Sequence, residues 1–305
     1  MYNYKKIKQW FKRRMGLWAL KFFCCVLPWF PRSCVYGLGN IVAAIAYVIA
    51  GRQRKIARSS LDIAFGREKT VEEKEGIIRE CFAKMAKGAL EVVASLNNPR
   101  ALSDVATIMV TIEGKEYLDK ALSKGKGVVI ASGHFGNFPL LLTKLSYLGY
   151  KVNIVVRRMH DKKTDTFFDY KRSALGIKSI YTHPRSTCVR ESIRALRNGE
   201  LVFVLMDQHF GAAGGVLVDF FGRKAATAGG GVVFALRTAA PIVPAFIVGE
   251  GDGRHRLIIE PELTLRKAED KEEMLRLNVA AITAIIERYV RQYPAEWSWI
   301  HRRWK

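Results

Sequence analysis

The sequence predicts an α/β protein with a mixed, mainly parallel central sheet flanked by helices, and with helices that anchor it to a membrane at its N-terminus. Short β-branched apolar runs alternate with helical patterns from residue 126 onward. This alternation is typical of sheets that helices cover on both faces. Hydrophobic residues make up 49% of the 305 residues, which is enough for a large core. Two apolar runs also follow a basic N-terminus.

The N-terminal region, residues 1–56, is predicted to associate with a membrane. The basic stretch "MYNYKKIKQWFKRRM" precedes the apolar runs 16–31 and 33–51. The second run has no charged residue and approaches the roughly 20 residues that span a bilayer. Basic residues on both sides favour a helical hairpin that turns at "PWFPR", or a monotopic anchor, with both ends in the cytoplasm. A pair of buried core helices is the alternative. No cleavage site follows either run, so we expect no cleaved signal peptide.

Residues 57–305 are predicted to form one α/β domain. Its first helix covers 70–96, where Thr70 and Glu73 have the spacing of a capping box. Apolar, β-branched runs predict strands at 126–132, 151–156, 201–206, 241–248 and 255–260. Helical periodicity predicts helices at 138–148, 161–175, 187–198, 228–239 and 272–294.

The charge and the cysteines limit the possible partners. Lysine and arginine exceed aspartate and glutamate by 50 to 28, a net charge of +22 that favours nucleic acid, anionic lipid or an acidic carrier protein. We expect no nucleic acid, because no helix-turn-helix, zinc or RNA-binding signature is present. The five cysteines form no CxxC pair, which favours reduced thiols and a cytoplasm-facing site. The histidines lack metal-ligand spacing, so no metal and no cofactor are expected.

His134 is the candidate catalytic residue. It lies in "ASGHFGNFPL", between a predicted strand and a predicted helix, where Gly133 and Gly136 allow a sharp turn. Asn137 is expected to cap the helix, and Pro139 is tolerated in its first turn. Open α/β sheets bind ligands at the carboxyl ends of their strands. A neutral imidazole there can take a proton from a hydroxyl, although an isolated histidine is also consistent with a structural role.

Other candidates lie in two later stretches, and each has a structural alternative. Arg157, Arg158 and Arg172 offer planar donors for phosphate or carboxylate groups, or they form a solvated basic face. Asp207 and Gln208 end a buried-looking strand, where a carboxylate needs a partner. The Asp207 carboxylate either holds an arginine or orders the site, or it forms a structural hydrogen bond with the backbone.

The stretch "DFFGRKAAT" contributes the last candidates. Phe221 and Gly222 lie in an aromatic-glycine turn that either walls an acyl chain or belongs to the core. Thr227 is expected to cap the following helix, whose N-terminus suits a phosphate.

The order of these stretches resembles the lipid A late acyltransferases (lauroyl and myristoyl transferases) of the lysophospholipid acyltransferase superfamily. The similar blocks are 57–66, 112–138, 155–176, 205–230, 240–247 and 294–305. The resemblance implies a glycerolipid acyltransferase-like fold. It also implies that the protein is located at the cytoplasmic face of a bacterial inner membrane. It implies transfer of a fatty acyl chain from acyl carrier protein, or from acyl-CoA, to a hydroxyl of a lipid A precursor or related glycolipid. His134 would be the general base, without a covalent acyl-enzyme. The implied substrate-binding residues are Asn137, Arg157, Arg158, Arg172, Asp207, Gln208, Phe221, Gly222 and Thr227.

One position departs from the family's HX4D/E motif. The carboxylate that orients the histidine is expected five residues after it, and Pro139 occupies that place. Three explanations are open. Asp207 or Asp165 reaches His134 in space, a backbone carbonyl orients the ring, or the chain is a non-catalytic lipid-binding or membrane protein of the same fold.

Overall fold

The structure, a computed structural model, describes residues 2–97, 108–211 and 214–305, and the side chains from residue 14 onward. Its N-terminal part is helical. The helices are α1 (Tyr2–Val26), α2 (Arg32–Ile49), α3 (Gly51–Phe65) and α4 (Val71–Ser95). A short 3-10 helix (Leu27–Trp29), followed by Pro31, separates α1 from α2 at the predicted "PWFPR" turn. The predicted division at residue 56 falls within α3 and stays a prediction.

Helix α2 has two different faces. Val35, Gly39 and Ala43 are buried, and the helix packs along α4. The other face exposes apolar side chains, with Val48 at 72% and Ile49 at 77% exposure. Within the described ranges, α2 is the one helix that is long and apolar enough to cross a membrane. An apolar face without a protein partner suits contact with lipid.

The central sheet has seven strands in the order β1-β9-β8-β2-β5-β3-β4. The strands β8, β2, β5, β3 and β4 are parallel, and β9 and β1 run in the opposite direction. This arrangement confirms the predicted mixed, mainly parallel sheet. The strands are β1 (Val110–Glu113), β2 (Val128–Ser132), β3 (Val152–Val156), β4 (Ile177–Tyr181), β5 (Leu201–Leu205), β8 (Ile242–Gly251) and β9 (Arg254–Ile259).

Helices flank this sheet, and a separate antiparallel hairpin follows β5. The hairpin pairs β6 (Gly215–Phe220) with β7 (Arg223–Ala228) through a tight turn at Phe221 and Gly222, both of which have positive φ. The helices are α5 (Lys115–Leu122), α6 (Phe138–Tyr147), α7 (Lys162–Ala174), α8 (Arg185–Arg197), α9 (Gly230–Thr238) and α10 (Lys271–Gln292). All the predicted helices and strands of this region are present, within a few residues at their ends.

The three predicted helix caps have different outcomes. The capping box is confirmed, because the Thr70 hydroxyl accepts from the Glu73 N–H and the Glu73 carboxylate accepts from the Thr70 N–H. The cap by Asn137 is wrong, because its amide binds Glu91 and Gly88 instead of the first turn of α6. The cap by Thr227 is also wrong, because Thr227 lies inside β7 and Gly229 precedes α9.

Candidate active site

Strand register brings His134 and Asp207 together. The neighbouring parallel strands β2 and β5 pair Ser132 with Leu205, and each of the two residues lies two positions beyond its paired strand residue. The chains therefore leave the carboxyl edge of the sheet side by side. Gly133 eases the close approach, since a Cβ atom there would lie 3.2 Å from the Asp207 Cγ, which is tighter than an ordinary contact.

The Asp207 carboxylate holds the His134 imidazole from one side. Oδ1 lies 2.8 Å from the His134 Nδ1, and Oδ2 accepts the His134 backbone N–H at 2.8 Å. The Trp297 Nε1–H also donates to Oδ2 at 2.8 Å. Burial opposes ionisation, but the His134 ring and these hydrogen bonds outweigh it and hold the pKa of Asp207 below its ordinary value. An ionised carboxylate on Nδ1 selects the tautomer in which Nε2 is the proton acceptor.

The C-terminal stretch fixes the loop that carries His134. Phe135 forms a β-bridge with Trp297, and the Gly136 N–H donates to the Glu296 carbonyl at 2.9 Å. Gly136 has φ +52°, and a Cβ atom there would lie 2.1 Å from the Ile247 carbonyl oxygen, so no other residue fits. The loop that carries His134 therefore packs between β8 and the C-terminal stretch. These contacts hold the imidazole in a fixed orientation.

A second histidine stands beside the first. The rings of His134 and His301 have centroids 5.7 Å apart, and the Gln208 amide donates to the His301 Nε2 at 2.7 Å. Burial lowers the pKa of His301, the His134 ring lowers it further, and Asp207 acts in the opposite direction. A neutral His301 that accepts from Gln208 is consistent with this balance.

Arg303 is fully buried behind these residues. Its guanidinium donates to the carbonyls of Gln208 (3.2 Å) and Ala226 (2.8 Å) and to the Thr227 hydroxyl (2.5 Å). Burial lowers its pKa to about 10, and Asp207 raises it in part, so the side chain is a cation at neutral pH. Arg303 therefore ties β7 and the segment after β5 to the end of the chain.

Asn137 is part of a second buried cluster, centred on Glu91 of α4. The Glu91 carboxylate accepts from Asn137 Nδ2 (2.8 Å) and Tyr36 (2.8 Å), and it lies 2.9 Å from the His255 Nε2. Tyr36 belongs to α2, so the cluster links the exposed apolar helix to the start of α6. Burial and the Glu91 charge raise the pKa of the Tyr36 hydroxyl, which keeps it a donor.

The predicted arginines lie near β3, two strands away from His134 in the sheet order. Arg157 is exposed, just beyond the end of the strand. Arg158 pairs with Asp165 at 3.1 Å and lies over the Tyr181 ring. Arg172 donates to Ser179 at 2.8 Å. Asp165 therefore binds Arg158 and the backbone of its own loop, and the possibility that it orients His134 is wrong.

Phe221 is buried in an aromatic cluster with Phe65, Phe220 and Trp304. Gly222, beside it in the hairpin turn, has no neighbouring atom where a side chain would begin. Thr227 is fully buried against Arg303. Their roles in substrate binding stay predictions, and Phe221 and Thr227 support the wall of the site from within the protein.

Sequence reasoning missed Trp297, His301, Arg303 and Glu91 as parts of the site. The signal for the first three was the stretch "EWSWIHRRWK", in which tryptophans and charged residues alternate closely. Glu91 gave a weaker signal, a lone carboxylate within the mostly apolar second half of α4.

An imidazole backed by a buried carboxylate, at the carboxyl edge of a parallel sheet, defines an α/β protein equipped for general-base chemistry. The chain belongs to the bacterial lipid A biosynthesis acyltransferase family, whose model matches residues 4–305. It is an acyltransferase, as the sequence blocks predicted, and a non-catalytic relative of the same fold is not favoured.

Individual relatives cover most of the chain. The lipid A biosynthesis palmitoleoyltransferase of Escherichia coli (strain K12) is 24% identical over 281 residues, 90% of this chain and 86% of the relative. A phosphatidylinositol mannoside acyltransferase of Mycobacterium tuberculosis (strain H37Rv) is 28% identical over 202 residues, 63% of this chain and 59% of the relative. The superposition on the crystal structure of the 1-acyl-sn-glycerophosphate acyltransferase of Thermotoga maritima covers 86% of this chain and 98% of that chain. The sequence identity is 14% and the TM-score is 0.39.

Proposed function

We propose that the chain transfers a fatty acyl group from acyl carrier protein, or alternatively from acyl-CoA, to a hydroxyl of a lipid A precursor or a related glycolipid. Family membership supports the reaction class. A glycolipid acceptor is supported by the relatives, whose names specify lipid A or phosphatidylinositol mannoside. The net charge of +22 suits an acidic carrier protein and a phosphorylated acceptor.

His134 acts as the general base in this proposal. Its Nε2 takes the proton of the acceptor hydroxyl while that oxygen attacks the thioester carbonyl. Asp207 keeps the proton on Nδ1 and stabilises the imidazolium that forms. The tetrahedral intermediate then collapses, the C–S bond breaks, and the imidazolium returns the proton to the departing thiolate. The products are the acylated glycolipid and the free thiol of the carrier, so the reaction balances without a cofactor.

The observation that carries the proposal is the contact of 2.8 Å between Asp207 Oδ1 and His134 Nδ1. It supplies from β5 the carboxylate that Pro139 cannot supply from α6. The test measures acyl transfer by the purified full chain, from acyl carrier protein thioester to a lipid A precursor. General-base catalysis contributes roughly 10²- to 10⁴-fold, so His134→Ala should lose at least that factor. His183→Ala is the matched control, because His183 is exposed and bonds only to its neighbour Thr182 among the described residues. Unchanged turnover in His134→Ala would reject the mechanism.

We also propose that the site works at the cytoplasmic face of a bacterial inner membrane. The exposed apolar face of α2 and the exposed Trp18 and Trp29 support membrane association. Basic residues in the first half of α1 and within α3 support attraction to anionic head groups. Co-sedimentation with vesicles containing phosphatidylglycerol should exceed that with neutral vesicles, and equal sedimentation with both would contradict the electrostatic part.

The remaining predicted residues divide into two roles in this proposal. Arg157, which is exposed beyond the end of β3, and Arg158, which pairs with Asp165 but keeps an exposed side chain, contact the acceptor and the head groups of the membrane. Asn137 and Gln208 act by positioning the loop of His134 and the ring of His301. Alanine at Arg157 should therefore raise the KM for the acceptor, whereas alanine at Asn137 should lower kcat.

A further inference from the structure

A cavity of about 290 Å³ lies next to the His134–Asp207 pair, on the side of His301. Three separate parts of the chain form its wall: the first turn of α3, the segment after β5, and the C-terminal stretch. The polar wall residues that matter are Arg52, Gln53, Gln208, His209, Arg302 and Lys305.

The charged side chains that line this cavity are all positive. Arg52, Arg302 and Lys305 contribute three cations, and no aspartate or glutamate lines the cavity. None of the three forms an ion pair or side-chain hydrogen bond with any other described residue, in contrast to Arg158 and Arg172. All three are exposed at the cavity wall, and the positive potential that they share favours a bound anion.

Two further features favour an anion at the same place. Helix α3 begins at Gly51 with no capping side chain and no acidic residue in its first turn, so the backbone N–H groups of Arg52 and Gln53 are available at the cavity wall. The partial positive charge of a helix N-terminus favours phosphate. The His209 Nδ1 is buried without a hydrogen-bond partner among the described residues, and it lines the same cavity.

The cavity is close enough to the reacting groups to hold part of a substrate. Gln208 and His301 form its wall, and the His301 ring lies 5.7 Å from the His134 ring. A substrate whose anionic group binds here is within reach of His134 with its other end. Arginine side chains bind phosphate oxygens in a bidentate geometry, and the N-terminus of α3 adds backbone N–H donors that suit the same group.

We propose that this cavity is a phosphate subsite for a substrate of the transferase, and the assignment to a substrate rests on the proposed function. The phosphate is that of the glycolipid acceptor's head group or that of the donor's phosphopantetheine arm. Both sources supply a phosphate group at a distance from the reacting atom: the head group carries it on the sugar, and in the donor the pantetheine chain joins a phosphodiester to the thioester.

The test uses the full-length protein and the double variant Arg52→Gln/Arg302→Gln. Arg223→Gln is the matched control, because Arg223 lies exposed on β7, away from the cavity. Kinetics are measured with acyl carrier protein thioester and with a phosphorylated acceptor and its dephosphorylated form. We expect a KM increase of at least tenfold for one substrate, about 1.4 kcal/mol of lost binding. A rise for the phosphorylated acceptor alone identifies the head group, and a rise for the donor alone identifies the phosphopantetheine arm. KM values within twofold of the control overturn the assignment to a substrate.

A second measurement does not depend on turnover. Inorganic phosphate, titrated at constant ionic strength, should raise the Tm of the wild type and of Arg223→Gln but not that of the double variant. This result supports the anion subsite even if no acyl transfer is detected, in which case the proposed function alone fails. Equal shifts in all three proteins overturn the subsite.

Discussion

Replacing Asp207 by asparagine exchanges one oxygen for an NH2 group in a pocket built from donors. The two carboxylate oxygens accept three N–H groups, one from the His134 ring, one from the His134 backbone and one from Trp297. An asparagine has one acceptor oxygen for these three donors. Its NH2 group must therefore face either the His134 ring or the two donors that meet Oδ2.

The second orientation costs more. It would leave two buried N–H groups without an acceptor, at roughly 1–3 kcal/mol each. In the first orientation the imidazole responds by moving its proton to Nε2, so that Nδ1 accepts from the amide. An Nε2 that carries a proton cannot take one from a hydroxyl. In the serine-protease triad the same inversion lowers kcat by about 10⁴, which corresponds to about 5 kcal/mol of transition-state stabilisation.

We therefore expect Asp207→Asn to fold and to lose about 10³- to 10⁴-fold in kcat for acyl transfer. Asp219→Asn is the matched control, since Asp219 is an exposed carboxylate paired with Lys224. Circular dichroism and Tm show whether both variants are folded, and ¹⁵N chemical shifts of the His134 ring report the tautomer. A folded Asp207→Asn with kcat within threefold of the wild type would refute the orienting role of this carboxylate.

Three further predictions follow from the packing and the charges. Glu91→Leu should lower the free energy of unfolding by roughly 3–5 kcal/mol, because the buried partners Tyr36, Asn137 and His255 lose their acceptor. Urea unfolding measures this loss. The control is Glu80→Leu, at an exposed position on the same helix, which should change the free energy of unfolding little. Gly39→Val should lower the free energy of unfolding by roughly 1–3 kcal/mol, because a Cβ atom there would lie 2.8 Å from the Lys87 Cγ between α2 and α4. The control is Gly37→Val, where no atom lies within 4 Å of the Cβ position. Equal losses of stability in both variants would contradict the close packing. The pKa of His301 is lower in the folded state than its ordinary 6.5, so the unfolded chain binds more protons and stability is lost as the pH falls below about 6.5 through the folded value. The fall in Tm between pH 7 and pH 5 should therefore be smaller in His301→Gln than in the wild type, and an equal fall would disprove this.

Two of the strands that the sequence failed to predict, β4 and β7, share a physical cause. β4 reads "IKSIY", lies at the edge of the sheet and buries only Ile177 and Ile180 of its five residues, which is not the period-2 pattern of a strand. β7 reads "RKAATA", a composition poor in strand-favouring side chains. It is a strand because it pairs with β6 and because the buried Arg303 binds its Ala226 carbonyl and Thr227 hydroxyl. Such strands depend on partners elsewhere in the chain, which local periodicity does not register.

The sequence by itself determined the features that depend on neighbouring residues. The alternation of apolar runs gave the α/β class, the glycines around His134 gave the turn after β2, and the ordered blocks identified the family. Only the tertiary structure decided what orients the imidazole. Asp207 is 73 residues away in the chain, and it reaches His134 because β5 lies beside β2 with Ser132 opposite Leu205. Strand order and register arise from packing of the whole sheet, so the carboxylate beside His134 comes from the segment after the adjacent strand and not from the first turn of α6.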